Sequence, residues 1–227
     1  MFIYPFLFAN FARLKHNAMA IKLTLNKTER ILFCGSKWWG DPDMPENMQY
    51  PTVEATEDGE TFDYPLTFIC QINCEDIAAF DKEGRLPHEG MLYFFGAIDE
   101  WLGYESPTTQ GAGEWPKGHV VVKYAKTINF ETFQTCMLMD DEDQQLTEPE
   151  LEIVFSECDD NAEGLKLLGT PCKEETAQKY PDLGNLLQLT SDATGGMQFP
   201  DSTVLNIMMK DSDLKFGNWK KTKSFLG

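Results

Sequence analysis

The side chains that could perform chemistry in this chain are few and far apart. The 227 residues include only three His and six Cys. No segment matches a nucleophile elbow, an HExxH zinc motif or a P-loop. Gly111-Ala112-Gly113 leads into Glu114-Trp115-Pro116 instead of the helix that a phosphate cradle requires, so it predicts a flexible loop. We predict no catalytic residue and no cofactor, and we favour a protein that is not an enzyme.

Cys70 and Cys74 have the spacing of one half of a zinc site. The other half would have to come from Cys136, Cys158 or Cys172, and no two of these are close in sequence. A chain of this length can bury its own core without disulfides, and Cys in an apolar run packs as a small hydrophobic residue. We therefore predict reduced thiols, no metal site and a cytoplasmic location.

Two glutamines lie inside apolar runs, Gln71 in Phe68-Ile69-Cys70-Gln71-Ile72 and Gln188 in Leu186-Leu187-Gln188-Leu189. A buried carboxamide needs hydrogen-bond partners. Either a structural bond to the neighbouring backbone or a contact with a ligand would satisfy each one, and the sequence leaves both alternatives open.

Four tryptophans lie in loops rich in Gly and Pro: Trp38, Trp39, Trp101 and Trp115. Trp is enriched at interface hot spots, and it also seals cores. For the adjacent pair we expect one indole to seal the fold and the other to be exposed for contact. These four tryptophans are candidate binding residues.

The elements predicted to position these residues are mostly strands, with few helices. Apolar runs bounded by turn residues predict two core strands at 65–73 and 90–99, joined by a short helix that Asn73 caps. Thr170 and Pro171 predict the N-cap and first position of a helix that ends before Pro181. The acidic segment 53–63 predicts a solvated loop. Shorter runs predict further strands at 21–25, 119–124, 132–139, 151–155, 183–190 and 203–209.

These elements predict an α+β fold with mostly antiparallel sheets and a few short helices. The order Gly, Pro, apolar strand with Gln, apolar strand occurs twice, which predicts an internal duplication. We expect residues 19–227 to form a single domain of two pseudo-repeats, about 30–125 and 150–227. Residues 1–18 are expected to be an N-terminal extension, and our hypothesis is that translation begins at Met19.

The net charge of −18 restricts the partners. Such a surface repels phosphate backbones and anionic lipid, so we predict binding neither to nucleic acid nor to a membrane. A basic protein surface would be attracted. The charge also has a simpler explanation, which is that it keeps the protein soluble.

Five short motifs together resemble the YwqG-like family of proteins of unknown function. They are Ser36-Lys37-Trp38-Trp39-Gly40-Asp41-Pro42, Cys70-Gln71-Ile72-Asn73, Gly90-Met91-Leu92-Tyr93-Phe94-Phe95, Leu167-Leu168-Gly169-Thr170-Pro171 and Leu187-Gln188-Leu189. The resemblance implies an α+β fold with an internal duplication. Lys37, in the first of these motifs, is also a candidate binding residue. The family is distantly similar to programmed-cell-death-protein-2-like factors, which by analogy implies a role in binding a client protein.

The sequence therefore yields two functional hypotheses. The first is an acidic protein-binding module, chaperone-like or neutralising, that engages a basic protein partner through its loop tryptophans. The alternative is a small-molecule-binding protein or enzyme with a pocket between the two repeats, near Gln71 and Gln188.

Overall fold

The computed structural model describes residues 20–139 and 142–227. This part of the chain forms fifteen strands, three α-helices and three turns of 3₁₀ helix. The strands are β1 (Ala20–Lys27), β2 (Lys37–Trp38), β3 (Asp43–Pro45), β4 (Thr52–Glu57), β5 (Glu60–Pro65), β6 (Thr67–Asn73), β7 (Met91–Gly96), β8 (Gly113–Glu114), β9 (Val120–Ala125), β10 (Phe133–Thr135), β11 (Leu151–Cys158), β12 (Lys166–Leu167), β13 (Gly184–Leu189), β14 (Leu205–Met209) and β15 (Lys223–Leu226). The helices are α1 (Cys74–Ile77), α2 (Glu174–Lys179) and α3 (Asp211–Lys215), and the 3₁₀ turns are Asp99–Leu102, Pro200–Ser202 and Trp219–Lys221.

The fold is mostly antiparallel sheet, and the prediction of an α+β class is wrong. Strands account for 38% of the described residues and helices for 12%. The longest α-helix, α2, has six residues, which is too short to form a layer against a sheet. The apolar residues instead lie on the strands, so sheet packing forms the core.

Eleven strands form one large sheet that curls into a half-barrel. The strand order is β8-β15-β14-β13-β12-β1-β11-β2-β6-β7-β9. Its strand β7 is buried on both faces: Leu92 and Phe94 pack in one apolar cluster, and Met91, Tyr93 and Phe95 in another. This explains the unbroken apolar run that predicts a core strand there.

Strands β1 and β11 lie at the middle of the sheet and pair along their whole length. Each then pairs on its other side with a short strand from the opposite half of the chain, because β1 contacts β12 and β11 contacts β2. The two halves of the chain are therefore interleaved at the centre of the sheet.

The segments that follow these central strands correspond closely in backbone geometry. Lys37 pairs with Gln71 as Lys166 pairs with Gln188. The residue two positions after each lysine has a left-handed backbone, with φ of 57° at Trp39 and 63° at Leu168, and a left-handed glycine follows each. These correspondences support the internal duplication, which stays a prediction.

Other sequence predictions have mixed outcomes. The strands predicted within residues 65–73, 90–99, 151–155, 183–190 and 203–209 are present, whereas the predicted strand 132–139 is reduced to Phe133–Thr135. The acidic loop at 53–63 is instead a hairpin of β4 and β5. The predictions about residues 1–18 and Met19 lie outside the described residues. Within the described ranges, no helix has the length and apolar character needed to cross a bilayer.

Candidate functional site

The turn after β2 places Trp38 and Trp39 inside the protein. Their rings pack edge to face with centroids 5.3 Å apart, and Trp39 Nε1 donates a hydrogen bond of 2.7 Å to the Gly195 carbonyl. Both indoles are buried, so the expectation that one is exposed is wrong. The left-handed backbone at Trp39 is costly for a bulky residue, and these tertiary contacts maintain it.

Lys37 forms a buried ion pair. Its Nζ lies 2.9 Å from the Asp43 carboxylate and 3.4 Å from that of Glu150, and Lys37 and Asp43 are almost completely buried. The Asp43 carboxylate also accepts hydrogen bonds from the Cys34 N–H, the Gln71 Nε2 and the Thr135 hydroxyl. Because these bonds compensate the buried charges, we assign the cluster a structural role.

The Gln71 carboxamide is held by backbone groups of the same turn. Its Oε1 accepts from the Asp43 N–H at 2.8 Å, and its Nε2 donates to the Gly35 carbonyl at 2.9 Å. Gln188 is held in the same way: its Oε1 accepts from the Cys172 N–H and its Nε2 donates to the Gly164 carbonyl. Both side chains are fully buried. The structure therefore favours the structural alternative for these glutamines.

Trp101 and Trp115 stack on each other, with ring centroids 5.3 Å apart. Trp101 also packs against Phe199 at 4.7 Å. Trp115 is buried and donates its indole N–H to the Gly111 carbonyl, whereas Trp101 is half-buried. Trp115 belongs to the same large core cluster as Trp38 and Trp39, and Trp101 packs against that cluster.

Of the predicted binding residues, only Trp39 lines the acidic, aromatic cleft that we take as the candidate site. This cleft, which we call the Asp99 cleft, has a volume of about 430 Å³. Its charged and aromatic lining residues are Trp39, Tyr64, Phe68, Asp99, Tyr104, Glu105 and Glu148. Uncharged polar side chains and the apolar residues Leu66, Leu102, Leu138 and Leu146 also line the wall.

Asp99 is the buried carboxylate of this cleft. Its side chain accepts a hydrogen bond of 2.8 Å from the Tyr64 hydroxyl, and the residue is 8% exposed. Burial raises the pKa of Asp99, and the Tyr64 hydrogen bond opposes part of that rise. The pKa of Tyr64 is in turn raised to about 12 by burial and by the bond to Asp99. Tyr64 therefore stays a neutral donor at physiological pH.

The rim of the cleft carries a second pair of the same kind. The Tyr104 hydroxyl donates to the Glu148 carboxylate, and this bond raises the pKa of Tyr104 to about 12. Among the described residues that line the cleft there is no Lys, Arg or His. Three carboxylates beside four aromatic rings form a site suited to a cation, since ammonium and guanidinium groups bind both kinds of surface.

Sequence reasoning missed Tyr64, Asp99, Tyr104 and Glu148. Tyr64 directly follows the acidic segment 53–63, which is predicted as a loop, and Asp99 ends the apolar run of a core strand. A polar residue directly after a buried strand was the only local sign of Asp99. No local pattern connects it to Tyr64, which is 35 positions away.

The thiols and the two described histidines, His88 and His119, do not form a second candidate site. All six cysteines are free, and burial raises the pKa of Cys70 and Cys74 well above the usual thiol range. The described ranges contain no group of three or more His, Cys, Asp or Glu that could hold a metal ion. His88 lies 3.4 Å from the buried Asp81 carboxylate, at a turn.

An antiparallel half-barrel with an acidic, aromatic cleft is a class of structure that many activities could share. Comparison with known families is more specific, because residues 36–166 match the model of a domain of unknown function (DUF1963). That match covers more than half of the chain, and the protein belongs to this family. It includes β2 to β11 and every lining residue of the Asp99 cleft. No curated protein matches the chain.

Proposed function

We propose that this protein is a binding module that receives a cationic side chain of a basic protein partner in the Asp99 cleft. The observation that carries the proposal is the Asp99 carboxylate, which is buried among aromatic rings with a single neutral donor, Tyr64. None of the described residues that line the cleft offers a positive charge to this carboxylate. A guanidinium or ammonium group would supply one.

The physical chemistry of the cleft favours such a guest. Desolvation makes the Asp99 charge costly in the free protein, and pairing with a cation removes part of that cost. Tyr104 and Trp39 offer ring surfaces for a cation, and Glu105 and Glu148 add negative charge near the entrance. Over longer distances, the net charge of −18 steers a basic partner toward the protein.

This proposal keeps the class of function that the sequence suggests and changes its contact residues. Trp38, Trp39 and Trp115 are buried, so they act by supporting the fold and, for Trp39, by lining the cleft. The finer placement in the YwqG-like group, the analogy with client-binding factors and a cytoplasmic location belong to the same proposal. They rest on the sequence motifs, the charge and the reduced thiols.

The test compares two matched Asp to Asn variants with wild type. Asp99→Asn removes the buried charge, and Asp63→Asn removes an exposed charge on β5 beside Tyr64. The probe is a fluorescently labelled arginine-rich peptide, with a glutamate-rich peptide of the same length as its control, and the readout is anisotropy at low and moderate salt.

We expect binding of the arginine-rich peptide that weakens with salt and falls about tenfold or more in Asp99→Asn, which corresponds to about 1.4 kcal/mol. Asp63→Asn should bind nearly as wild type does. Equal affinities for wild type and Asp99→Asn would overturn the proposal, as would equal losses in the two variants. Capture from native lysate by wild type but not by Asp99→Asn would then name the partner.

The volume of the cleft favours a second candidate, a small cationic ligand. A space of about 430 Å³ lies within the usual range of small-molecule sites. The site differs from the one that the sequence suggests, since Gln71 and Gln188 are committed to backbone groups. Agmatine and choline serve as probes. A saturable rise in melting temperature with either probe, absent in Asp99→Asn, combined with no peptide binding, would favour this candidate.

A further inference from the structure

A second cleft lies where the two ends of the curled sheet approach each other. One wall comes from β9, the last strand at one end, and the other from β8 and β15 at the opposite end. The space measures about 650 Å³ and includes the apolar residues Trp115, Val121 and Trp219. We call it the seam cleft. It shares no lining residue with the Asp99 cleft.

The seam cleft has the opposite charge to the rest of the protein. Its charged lining residues are Lys117, Lys210, Lys220, Lys221 and Lys223, against Glu114 and Asp213. The local charge is therefore +3 in a chain whose net charge is −18. Such a reversal concentrates positive potential in one concave site, because clefts focus the field of the charges that line them.

The lysines divide into paired and unpaired groups. Lys221 binds Asp213 at 2.7 Å and Lys223 binds Glu114 at 2.8 Å. Within residues 20–139 and 142–227, no hydrogen bond or ion pair joins Lys117 or Lys220 to another residue. Both are exposed, so their charges are available to a ligand without breaking an internal bond.

The walls also present apolar surface beside these charges. The Trp219 ring is half-buried and packs against Tyr124 at 5.8 Å, which fixes it at the edge of β9. Trp219 begins the 3₁₀ turn that carries Lys220 and Lys221. Positive charges and an indole are therefore held on one short, rigid element.

We infer that the seam cleft binds a small polyanion in which two or more phosphate charges are joined to an apolar or aromatic body. Lys ammonium groups bind phosphate as compact charges, and the Trp219 side of the cleft offers contact to a planar group. The volume fits a molecule of nucleotide size. A long nucleic acid is disfavoured because the surrounding surface is strongly negative. This inference does not depend on the function proposed for the Asp99 cleft.

Three probes separate the contributions of charge and ring: ATP, inorganic tripolyphosphate and adenosine. Titration calorimetry is performed at constant ionic strength with the full chain. We expect saturable binding of ATP, weaker binding of tripolyphosphate and no measurable binding of adenosine. If neither ATP nor tripolyphosphate binds saturably up to about 5 mM, the weak end of the affinity scale, the inference is overturned.

The variant that tests the site is Lys117→Glu/Lys220→Glu, and its matched control is Lys22→Glu/Lys27→Glu on β1. All four lysines are exposed, and melting curves establish that both variants fold. The first variant should lose about tenfold or more in ATP affinity, whereas the control should change by less than about twofold. Similar losses in both variants would show a nonspecific charge effect and would contradict a site at the seam.

Discussion

Lys37 and Lys166 are buried lysines that occupy corresponding places, each directly opposite a glutamine on the neighbouring strand. Their ammonium groups differ in what they bind. Lys37 pairs with the Asp43 carboxylate, whereas Lys166 donates to the backbone carbonyls of Asp160 and Thr170 at 2.7 and 2.8 Å. Burial lowers the pKa of Lys166. The same position in the fold is thus stabilised by an ion pair in one half and by neutral acceptors in the other.

This difference predicts unequal costs for the same substitution. Lys37→Met leaves a buried carboxylate without its cation, so we expect a loss of about 3–5 kcal/mol in the free energy of unfolding. Lys166→Met leaves only two carbonyls without a donor and should cost about 1–3 kcal/mol. Chemical denaturation at pH 7 measures both values. Adding Asp43→Asn to Lys37→Met should recover part of the loss; a larger loss for Lys166→Met than for Lys37→Met would contradict the assignment.

Two left-handed glycines close to Lys166, Gly164 and Gly169, give a second comparison. At Gly169, φ is +79° and an added Cβ would lie 2.2 Å from the Asp160 carbonyl oxygen, so Gly169→Ala combines strain with a backbone clash. Gly164 has φ of +90° and open space around the added atom. We expect Gly164→Ala to cost about 1–2 kcal/mol from strain alone and Gly169→Ala to cost about 3 kcal/mol or more. Thermal melts of the two variants check the order, and equal melting temperatures would refute it.

The buried carboxylate of the Asp99 cleft predicts an unusual pH dependence. Because burial raises its pKa above the unfolded value, the native state binds the proton more tightly, and the charged form costs stability at neutral pH. That cost disappears as the pH falls through the folded pKa. Asp99→Asn should therefore be more stable than wild type at pH 7, by on the order of 1 kcal/mol, with a difference that shrinks on acidification. Denaturation from pH 7 to pH 4 would show this trend, and a difference that grows toward acid would contradict it.

The hydrogen bond from Tyr64 predicts the complementary effect. Tyr64→Phe removes the neutral donor to Asp99, so we expect a loss of about 1–3 kcal/mol at pH 7 that becomes smaller at acid pH, where Asp99 is protonated. Tyr50→Phe is the matched control, because the Tyr50 hydroxyl donates to the neutral Leu66 carbonyl at 2.8 Å. The stability loss caused by Tyr50→Phe should be the same from pH 4 to pH 7, because the carbonyl that accepts this hydrogen bond does not titrate. Parallel pH profiles for the two variants would exclude a special role for the Tyr64 bond.

The sequence predicts elements well where local patterning determines them. The apolar runs around Gln71 and Phe94 are strands because both faces of β6 and β7 are buried. The helix predicted from Thr170 is present, but its start is wrong for a tertiary reason. The Cys172 N–H donates to Gln188, so the chain stays in a turn and helix α2 begins only at Glu174. Local capping preferences are weak compared with such a bond in the core.

The candidate site could not be predicted because its contacts are distant in sequence. Tyr104 and Glu148 are 44 positions apart, and both lie in loops that only the tertiary fold brings together. The sequence marks the loop tryptophans as candidate binding residues. In the structure Trp38 and Trp39 are both buried, and only Trp39 lines the cleft. Residue type alone does not distinguish these outcomes.

The interleaving of β1 with β11 and β12 has a consequence during synthesis on the ribosome. The first residue of β11 follows the last residue of β1 by 124 positions, so β1 has no partner strand until that much more chain has emerged. At about 5–20 residues per second this delay lasts roughly 6 to 25 s. Throughout it the apolar face of β1, formed by Ile21, Leu23 and Leu25, is open to other nascent chains. Pairing of β1 in the central sheet is therefore delayed until β11 has been synthesised, well after β6 and β7 have become available to pair with each other.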